Sequence, residues 1–428
     1  MDEQAAAGLS RTLLCSAVPL PWQQPNATEF FAGQTLTAAA PYLNQAYLAF
    51  PWATWIDRSR RGSPPELPPP SSPSGSGIRV TVCQHIWALE HLELFQRAGI
   101  TDLFWSHATQ GVHQIGDMRL HPFPLYPVRC STHPLTEPLL PPTQRPLLYS
   151  FQGAYIPGLY LTPVREWLLE LPPRPDAQLE RHREWHYEQA VYREQVQGQA
   201  GDAARHAQLA AEADAYATIL QRSCFALCPS GSGPNSIRLW EALGYGAIPV
   251  ILSDQLQLPG PAELWQAAAL MVPETQAAVT ALPSQLEALA SDPERMLAMQ
   301  QAGQQLWRRY GMDGFVGDVV DLLRDPLTVL RSRALQQLPP GEPLEIQASH
   351  PAELPLLLLR NLRNQPPQRS VLIQINDTGP RELLRLRWQA ALRLCKQQLV
   401  GRPAAMVSVA PELEGFVTDG VSSSVKRC

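Results

Sequence analysis

SCFALCPSGSGPNSIRLWEALGYGAIPVILSDQLQLPG, running from Ser223 to Gly260, decides the fold. Cys224 to Cys228 reads as a buried strand, Pro229 to Pro234 as a loop with Gly231 and Gly233, Ser236 to Leu243 as a helix closed by Gly244, and Ala247 to Leu252 as a second buried strand. Strand, glycine loop, helix and strand within ~30 residues make a βαβ unit. The loop follows the carboxyl end of the first strand, where open α/β sheets bind their ligands. Asn235 or Ser236 can cap the helix, leaving N–H groups and the positive end of the dipole aimed at the loop's concavity, a geometry suited to a diphosphate. Arg238 and Glu241, three apart, share one helix face; Leu239, Trp240 and Leu243 form the core-facing one. A guanidinium can clamp phosphate through two N–H groups, and a carboxylate one turn deeper can accept hydrogen bonds from ribose or sugar hydroxyls. The same two residues also fit an ordinary surface ion pair worth roughly a few tenths of a kcal/mol.

Outward from this unit the pattern repeats. Upstream, RPLLYSFQGA gives a buried strand from Pro146 to Phe151, a Gln152–Gly153 turn and a helix from about Pro163. Farther upstream, Ile78 to Cys83 reads as a strand, Ile86 to Ala98 as a helix and Asp102 to Ser106 as a strand, an alternation that predicts a second parallel sheet. Between the two βα units, Asp176 to Arg222 is rich in Ala, Gln, Glu and Arg and reads as one or two long helices broken at Gly198 to Gly201, its charges forming a solvated face. Downstream, Ala268 to Val272 reads as a strand and Ala277 to Tyr310 as two helices broken near Asp292–Pro293. In the last segment, Ser370 to Asn376 and Ala405 to Val409 read as strands flanking a helix from Arg381 to Leu399.

The 428 residues, 45% of them hydrophobic, leave room for more than one core at about 100 to 200 residues per domain. Of the 43 prolines, 14 collect at Arg58 to Gly77, Pro134 to Pro146 and Leu338 to Pro343, which read as a disordered surface loop and two linkers. The expected organisation is an acceptor-side α/β domain over 1–140, with the loop at about 58–77, a donor-binding Rossmann-like domain over 141–335, and a C-terminal α/β appendage over 336–428. A net charge of −5 offers no global attraction to nucleic acid or anionic lipid. Seven scattered cysteines predict reduced thiols, and Cys224 and Cys228, on one strand, stand about 13 Å apart, too far for a disulfide. Their spacing is not that of the common zinc sites. The N-terminus lacks the basic region of a signal peptide and no apolar run approaches ~20 residues, so a cytoplasmic protein is expected, with peripheral membrane association through a partner left open.

The run CPSGSGPNSIRLWEALGYGAIPVILSDQLQLP resembles the donor-binding signature of exostosin-like glycosyltransferases of the GT47 type, which share the two-domain GT-B fold. RPLLYSFQG resembles that family's opening donor-domain strand, and ELWQAAALMVPE with the helices to Tyr310 its continuation. The resemblance is specific from about Arg145 to Phe315, looser from Tyr42 to Val128, and absent beyond about Leu335. It implies transfer of a sugar from a nucleotide-sugar donor, a UDP-sugar foremost, to a glycan or glycoconjugate, with inversion, without a metal and without a tightly bound cofactor. It implies that Arg238 holds the diphosphate, that Glu241 binds ribose or the donor sugar, that Ser230, Gly231, Gly233, Asn235 and Ser236 supply loop contacts, and that Gln152, Gly153 and Arg165 belong to the same site. Asp254 is placed like the family's acidic residue near the sugar; a turn or helix cap is its other reading.

Inversion needs one general base, expected on the acceptor side. The candidates are Asp57, His85, Glu90, Asp102 and His107. The family often has His-Asp where this chain has His107–Ala108, which leaves the base open. Retaining enzymes of this fold often carry Glu-x7-Glu; counting from Glu241 that position is Pro249. Trp22, Trp52, Trp55, Trp87 and Trp105 can stack on acceptor sugars or fill the core. Two other readings stay open: a non-catalytic glycan-assembly module of this fold, and a nucleotide-sugar epimerase or sugar-phosphate phosphorylase of the same architecture.

Overall fold

The computed structural model describes residues 13–15, 20–23, 27–39, 46–60, 62, 78–182, 194, 203–324, 329, 344–348, 353–354, 357, 371–375 and 405–409. The first sheet is built from β1 (Leu13–Cys15), α1 (Thr28–Ala39), β2 (Ala46–Ala49), α2 (Trp52–Arg60), β3 (Arg79–Cys83), α3 (Leu92–Arg97), β4 (Asp102–Trp105), β5 (Gln114–Ile115) and β6 (Met118–Pro122), and α4 (Val128–Thr132) follows it. Its strand order is β1-β2-β3-β4-β6-β5, parallel except where β5 turns back on β6. β4 is buried along its whole length and β3 at all but its first residue, which is why both read as near-continuous apolar runs. Trp52, Trp55 and Trp105 lie in the core between this sheet and its helices, and the Trp52 indole donates to Thr81 Oγ1 at 2.7 Å. The helix expected over Ile86 to Ala98 splits into a 3-10 turn at Ala88–His91 and α3. α2 runs through Arg60, so the expected loop cannot start at Arg58; nearly all of its remainder lies outside the described residues.

The second sheet comprises β7 (Leu147–Gly153), α5 (Val164–Leu169), β8 (Ala177–Arg181), α6 (Ala203–Arg222), β9 (Ser223–Pro229), α7 (Ile237–Gly244), β10 (Ile248–Leu252), α8 (Ala262–Ala268) and β11 (Leu270–Met271), followed by α9 (Gln276–Ala290), α10 (Pro293–Tyr310) and α11 (Gly317–Arg324). All five strands are parallel, in the order β8-β7-β9-β10-β11. This is a doubly wound order whose switch point lies between β7 and β9, where such sheets open a crevice for ligand. The expectation of helix from Asp176 onward fails at Ala177–Arg181, which pairs with Tyr149–Gly153 instead. A free edge on β7 offers a full backbone ladder there, and tertiary pairing overrides a modest local preference. The expected break at Gly198 to Gly201 lies outside the described residues.

α7 ends differently from its reading too. Gly244 is its last helical residue, and Gly246, at φ +69°, makes the left-handed turn. Gly246 N donates to Leu243 O at 3.2 Å and Ala247 N to Ala242 O at 2.9 Å, the two bonds of a Schellman closure. Leu239, Trp240 and Leu243 pack against Trp265, Leu306 and Tyr310, and each such side chain contributes about 1.5–3 kcal/mol when removed from water. That wedge fixes which face of α7 is left for function.

Residues divide into two units, Met1–Arg324 and Asp325–Cys428. Within the first unit lie the two α/β sheets, one all parallel and the other parallel except at β5, as the alternation of strand and helix patterns predicted. Within the second, β12 (Leu344–Ala348), β13 (Val371–Ile375) and β14 (Ala405–Val409) form a parallel sheet; the helix expected over Arg381 to Leu399 and the linker at Leu338 to Pro343 lie outside the described residues. Among the described residues no helix is long and apolar enough to cross a membrane.

Asp102 is structural. Its carboxylate accepts from Arg119 Nε at 2.8 Å and Nη2 at 2.6 Å, from His121 Nε2 at 2.7 Å and from Thr101 Oγ1 at 2.8 Å. Burial opposes its charge, but the hydrogen bonds from His121 and Arg119 prevail and hold its pKa at about 2, below the ordinary 3.8. A depressed carboxyl stabilises the fold above its unfolded pKa and loses that contribution as pH falls toward the folded value. Asp102→Asn is therefore expected to remove about 2 kcal/mol of the stability that the wild type loses between about pH 4 and pH 2. Thermal unfolding of both proteins across that window checks it; identical pH profiles would contradict it.

Candidate functional site

At the switch point the carboxyl end of β7 meets the start of α7 around a cavity of about 130 Å³. Gln152, Gly153 and Ala154 form one wall, and Ser236, Ile237, Arg238 and Glu241 another. Arg165 from α5, Tyr216 from α6, Arg129 from α4 and His182 just past β8 complete the lining with Tyr160 and Glu212. Ser236 is the N-cap of α7, but its side chain makes no cap hydrogen bond. Asn235 does not cap either: its amide Nδ2 donates to Ser106 O at 2.6 Å and its Oδ1 accepts from Trp240 Nε1 at 3.0 Å. The first N–H groups of an α-helix have no acceptor within the helix, so the uncapped start of α7 presents donors to the cavity.

Arg238 is 8% exposed, and its Nη2 donates to the backbone O of Gln152. Its Nε and Nη1 are buried without a hydrogen-bond partner. The guanidinium lies 4.5 Å from the Phe151 ring centroid and 5.7 Å from that of Tyr216, so rings rather than carboxylates surround it. Arg165 donates Nε to Ser230 O at 2.7 Å and lies 4.6 Å from the Tyr160 centroid. Burial, and then the nearby charge of Arg238, lower its pKa to about 10, which still leaves it cationic at neutral pH. Two guanidiniums beside open helix donors make a site for an anion with several oxygens.

Glu241 is 1% exposed and already engaged: Oε1 accepts from Arg129 N at 3.1 Å and Oε2 from Tyr216 OH at 3.0 Å. Burial raises its pKa, against the Arg129 amide and the Tyr216 hydroxyl. The ion pair that its spacing from Arg238 allowed is absent; among the described residues no ion pair joins them.

The glycine loop does not line the cavity. Ser230 N extends the ladder to Leu252 O at 2.9 Å, its hydroxyl donates to Glu274, and Gly231 N closes on Gly233 O at 2.8 Å. A Cβ on Gly231 would stand 3.3 Å from Arg165 Nη2, and one on Gly233 only 2.5 Å from His107 Nδ1 and 2.7 Å from Ile86 Cγ2. The glycines let the loop pack between Arg165 and the first sheet. Asp254 likewise lies away from the lining: its carboxylate accepts from Glu274 N at 3.2 Å while Asp254 N donates to Glu274 Oε2 at 3.0 Å, the turn reading. Of the sequence-expected donor residues, Gln152, Gly153, Arg165, Ser236, Arg238 and Glu241 come together; Ser230, Gly231, Gly233, Asn235 and Asp254 lie outside the lining.

None of the acceptor-side base candidates lines the cavity. His85 is locked, with Nδ1 accepting from Trp87 N at 3.1 Å and Nε2 3.2 Å from Asp57 Oδ1. Glu90 sits in an exposed pair with Arg60 at 2.9 Å. His107 Nδ1 accepts from Asn235 N at 3.4 Å, and burial, then His85, drive its pKa to about 3, so it is a neutral latch to the start of α7. Ala108, where the family often has Asp, is buried, and its carbonyl accepts from Gln257 N at 2.9 Å, joining the two sheets. Asp57 accepts from Gln23 Nε2 at 2.8 Å. Among the described residues no group of three or more His, Cys, Asp or Glu is placed to hold a metal ion.

The sequence reading missed Tyr216, Glu212, His182, Tyr160 and Arg129. α6 carried a signal: Ala213, Ala217 and Leu220 repeat at helical spacing and are buried, with Tyr216 on the same stripe, so this helix is not solvated all round.

Residues 87–288 match the family model described as the Exostosin GT47 domain. Exostosin-1 of Drosophila melanogaster is 34% identical over 115 residues, 26% of this chain and 15% of that protein. A probable beta-1,4-xylosyltransferase of Arabidopsis thaliana is 35% identical over 94 residues, 20% of this chain and 23% of that protein. The chain thus spans less than a quarter of the length of these relatives. A solved structure described as WaaG, a glycosyltransferase involved in lipopolysaccharide biosynthesis, covers 73% of this chain and 99% of its own at 11% identity and a TM-score of 0.35, too distant to bear on the site.

Proposed function

We propose that the chain, whose residues 87–288 match the Exostosin GT47 domain, is a glycosyltransferase that takes a nucleotide-sugar donor, a UDP-sugar foremost, and transfers the sugar with inversion to a glycan or glycoconjugate. The observation that carries this reading is the buried Arg238, with Nε and Nη1 unsatisfied beside the uncapped start of α7. A buried donor without a partner costs about 1–3 kcal/mol, more when charged, and a diphosphate oxygen removes that cost. The same donors stabilise the charge that grows on the leaving diphosphate as the glycosidic bond breaks, and Arg165 adds a second fixed positive charge. Glu241, held by Tyr216 and Arg129, keeps its remaining lone pairs for a ribose or sugar hydroxyl. Asp57 is kept as the base on the acceptor side, its Oδ2 accepting from Gln23 and its Oδ1 paired with His85, while Glu90, Asp102 and His107 are held by partners of their own.

Relatives named as glucuronosyl- and xylosyltransferases suggest the donors to try. Incubating the full chain with UDP-glucuronic acid or UDP-xylose and a panel of oligosaccharides is expected to release UDP only with acceptor present and to lengthen the acceptor by one sugar. Conversion of donor alone to an epimer, or donor binding with no turnover across the panel, would contradict transfer.

A further inference from the structure

β7 and β8 run parallel in a register that pairs Gln152 with Glu180 and Gly153 with Arg181, so their carboxyl ends bring Gln152, Glu180 and His182 to one corner of the cavity. Gln152 is 6% exposed and donates its Nε2 to Glu180 Oε2. A carboxylate facing an amide here acts as acceptor, which fixes which way the amide is turned and directs Oε1 away from Glu180. That oxygen is buried without a hydrogen-bond partner. His182, anchored by its backbone N to Gly153 O at 2.9 Å, also has an unsatisfied buried atom, Nε2, with Glu180 Oε1 3.5 Å away. With its proton on Nε2, this atom is a donor. An acceptor whose direction Glu180 sets and a donor therefore stand side by side, both unsatisfied.

Their position fits one part of a nucleotide. The order β9-β7-β8 puts the end of β8 beside that of β7, on the side away from β9. Arg238 Nη2 holds the backbone O of Gln152, so the two subsites adjoin across β7. Resting on the donor-site reading above, we propose that Gln152, oriented by Glu180, and His182 read the nucleobase: they accept an N–H and donate to the carbonyl beside it, an edge that uracil and guanine offer and that cytosine and adenine lack. Cytosine would set a ring-nitrogen lone pair against Gln152 Oε1 and leave that acceptor unsatisfied in the bound state.

Isothermal titration of the full chain with UDP, GDP, CDP, ADP and inorganic pyrophosphate tests this. UDP or GDP is expected to bind about tenfold or more tighter than CDP and ADP, and the UDP and GDP arms separate the two bases. Gln152→Met removes the acceptor at similar volume; Glu180→Gln, at a half-exposed side chain, keeps the fold but frees the amide to turn. Each is expected to bring the UDP to CDP ratio down to about twofold or less. Equal wild-type affinities for UDP and CDP, or an unchanged ratio in both variants, overturn the base-reading role while leaving the diphosphate site standing. If neither nucleotide nor pyrophosphate binds, the donor site itself is wrong and the base reading falls with it.

Discussion

Replacing Arg238 by alanine is expected to weaken UDP binding by about 100-fold or more, roughly 3 kcal/mol, with transfer lost in proportion. The size follows from burial: a guanidinium hydrogen-bonded to phosphate away from water keeps most of its attraction, whereas an exposed pair is screened. Apo stability should move the other way. Arg238 has two unsatisfied polar atoms in the empty protein, so its removal is expected to leave the Tm unchanged or raise it, as happens where a site holds groups for a ligand at the fold's expense. Arg238→Lys is not expected to rescue, since an ammonium cannot reproduce the planar fork that reaches both Gln152 O and the ligand. Calorimetry with UDP and thermal unfolding of the same samples check both halves. Intact binding with a lowered Tm would make Arg238 a structural residue.

Arg145→Met is expected to cost about 3 kcal/mol or more of folding stability. Arg145 is 6% exposed and donates to four backbone carbonyls: Leu140 O at 3.1 Å, Leu220 O at 3.3 Å, Ser223 O at 3.0 Å and Tyr245 O at 2.9 Å. Burial lowers its pKa only to about 10, so these are charge-assisted bonds at neutral pH. Tyr245 closes the carboxyl end of α7 and Leu220 lies near that of α6, the two helices whose other parts carry Arg238 and Tyr216 to the cavity. Methionine fills some of the volume but leaves those carbonyls without their shared donor. Urea unfolding measures the loss; a change below about 1 kcal/mol would contradict the account.

What the sequence made legible was what repeats locally. The unit from Ser223 to Leu252 announces itself because β9 and β10 are buried on both faces and α7 has one apolar side, so residue type alone carries the pattern. The break between α9 and α10 was equally plain: Asp292 caps α10 through Arg295 N at 3.0 Å, with Pro293 at its first position. β8 was not legible, because AQLER has no strand pattern of its own and becomes a strand only where β7 lends it an edge.

In the site, Arg238 and Glu241 could be read from charge and helix phase, and Arg165 from the family resemblance. The glycine loop's place outside the lining was not legible, because glycine marks close approach without saying to what; at Gly233 the close neighbour is His107, from a distant part of the chain. The base candidates could not be ranked from sequence for the same reason. Glu90 and Asp102 look alike as carboxylates in sequence, and only three-dimensional partners reveal one as a surface pair and the other as a clamped core residue. Likewise nothing local to Gln152 foretells that Glu180, 28 positions on, sets the direction of its amide.

The most direct measurement is a crystal structure of the full chain with UDP. The account predicts the diphosphate at the start of α7, with its oxygens within hydrogen-bond distance of Arg238 Nε and Nη1 and of the first amides of that helix. UDP bound elsewhere, or in this cavity with Arg238 still unsatisfied, would contradict it.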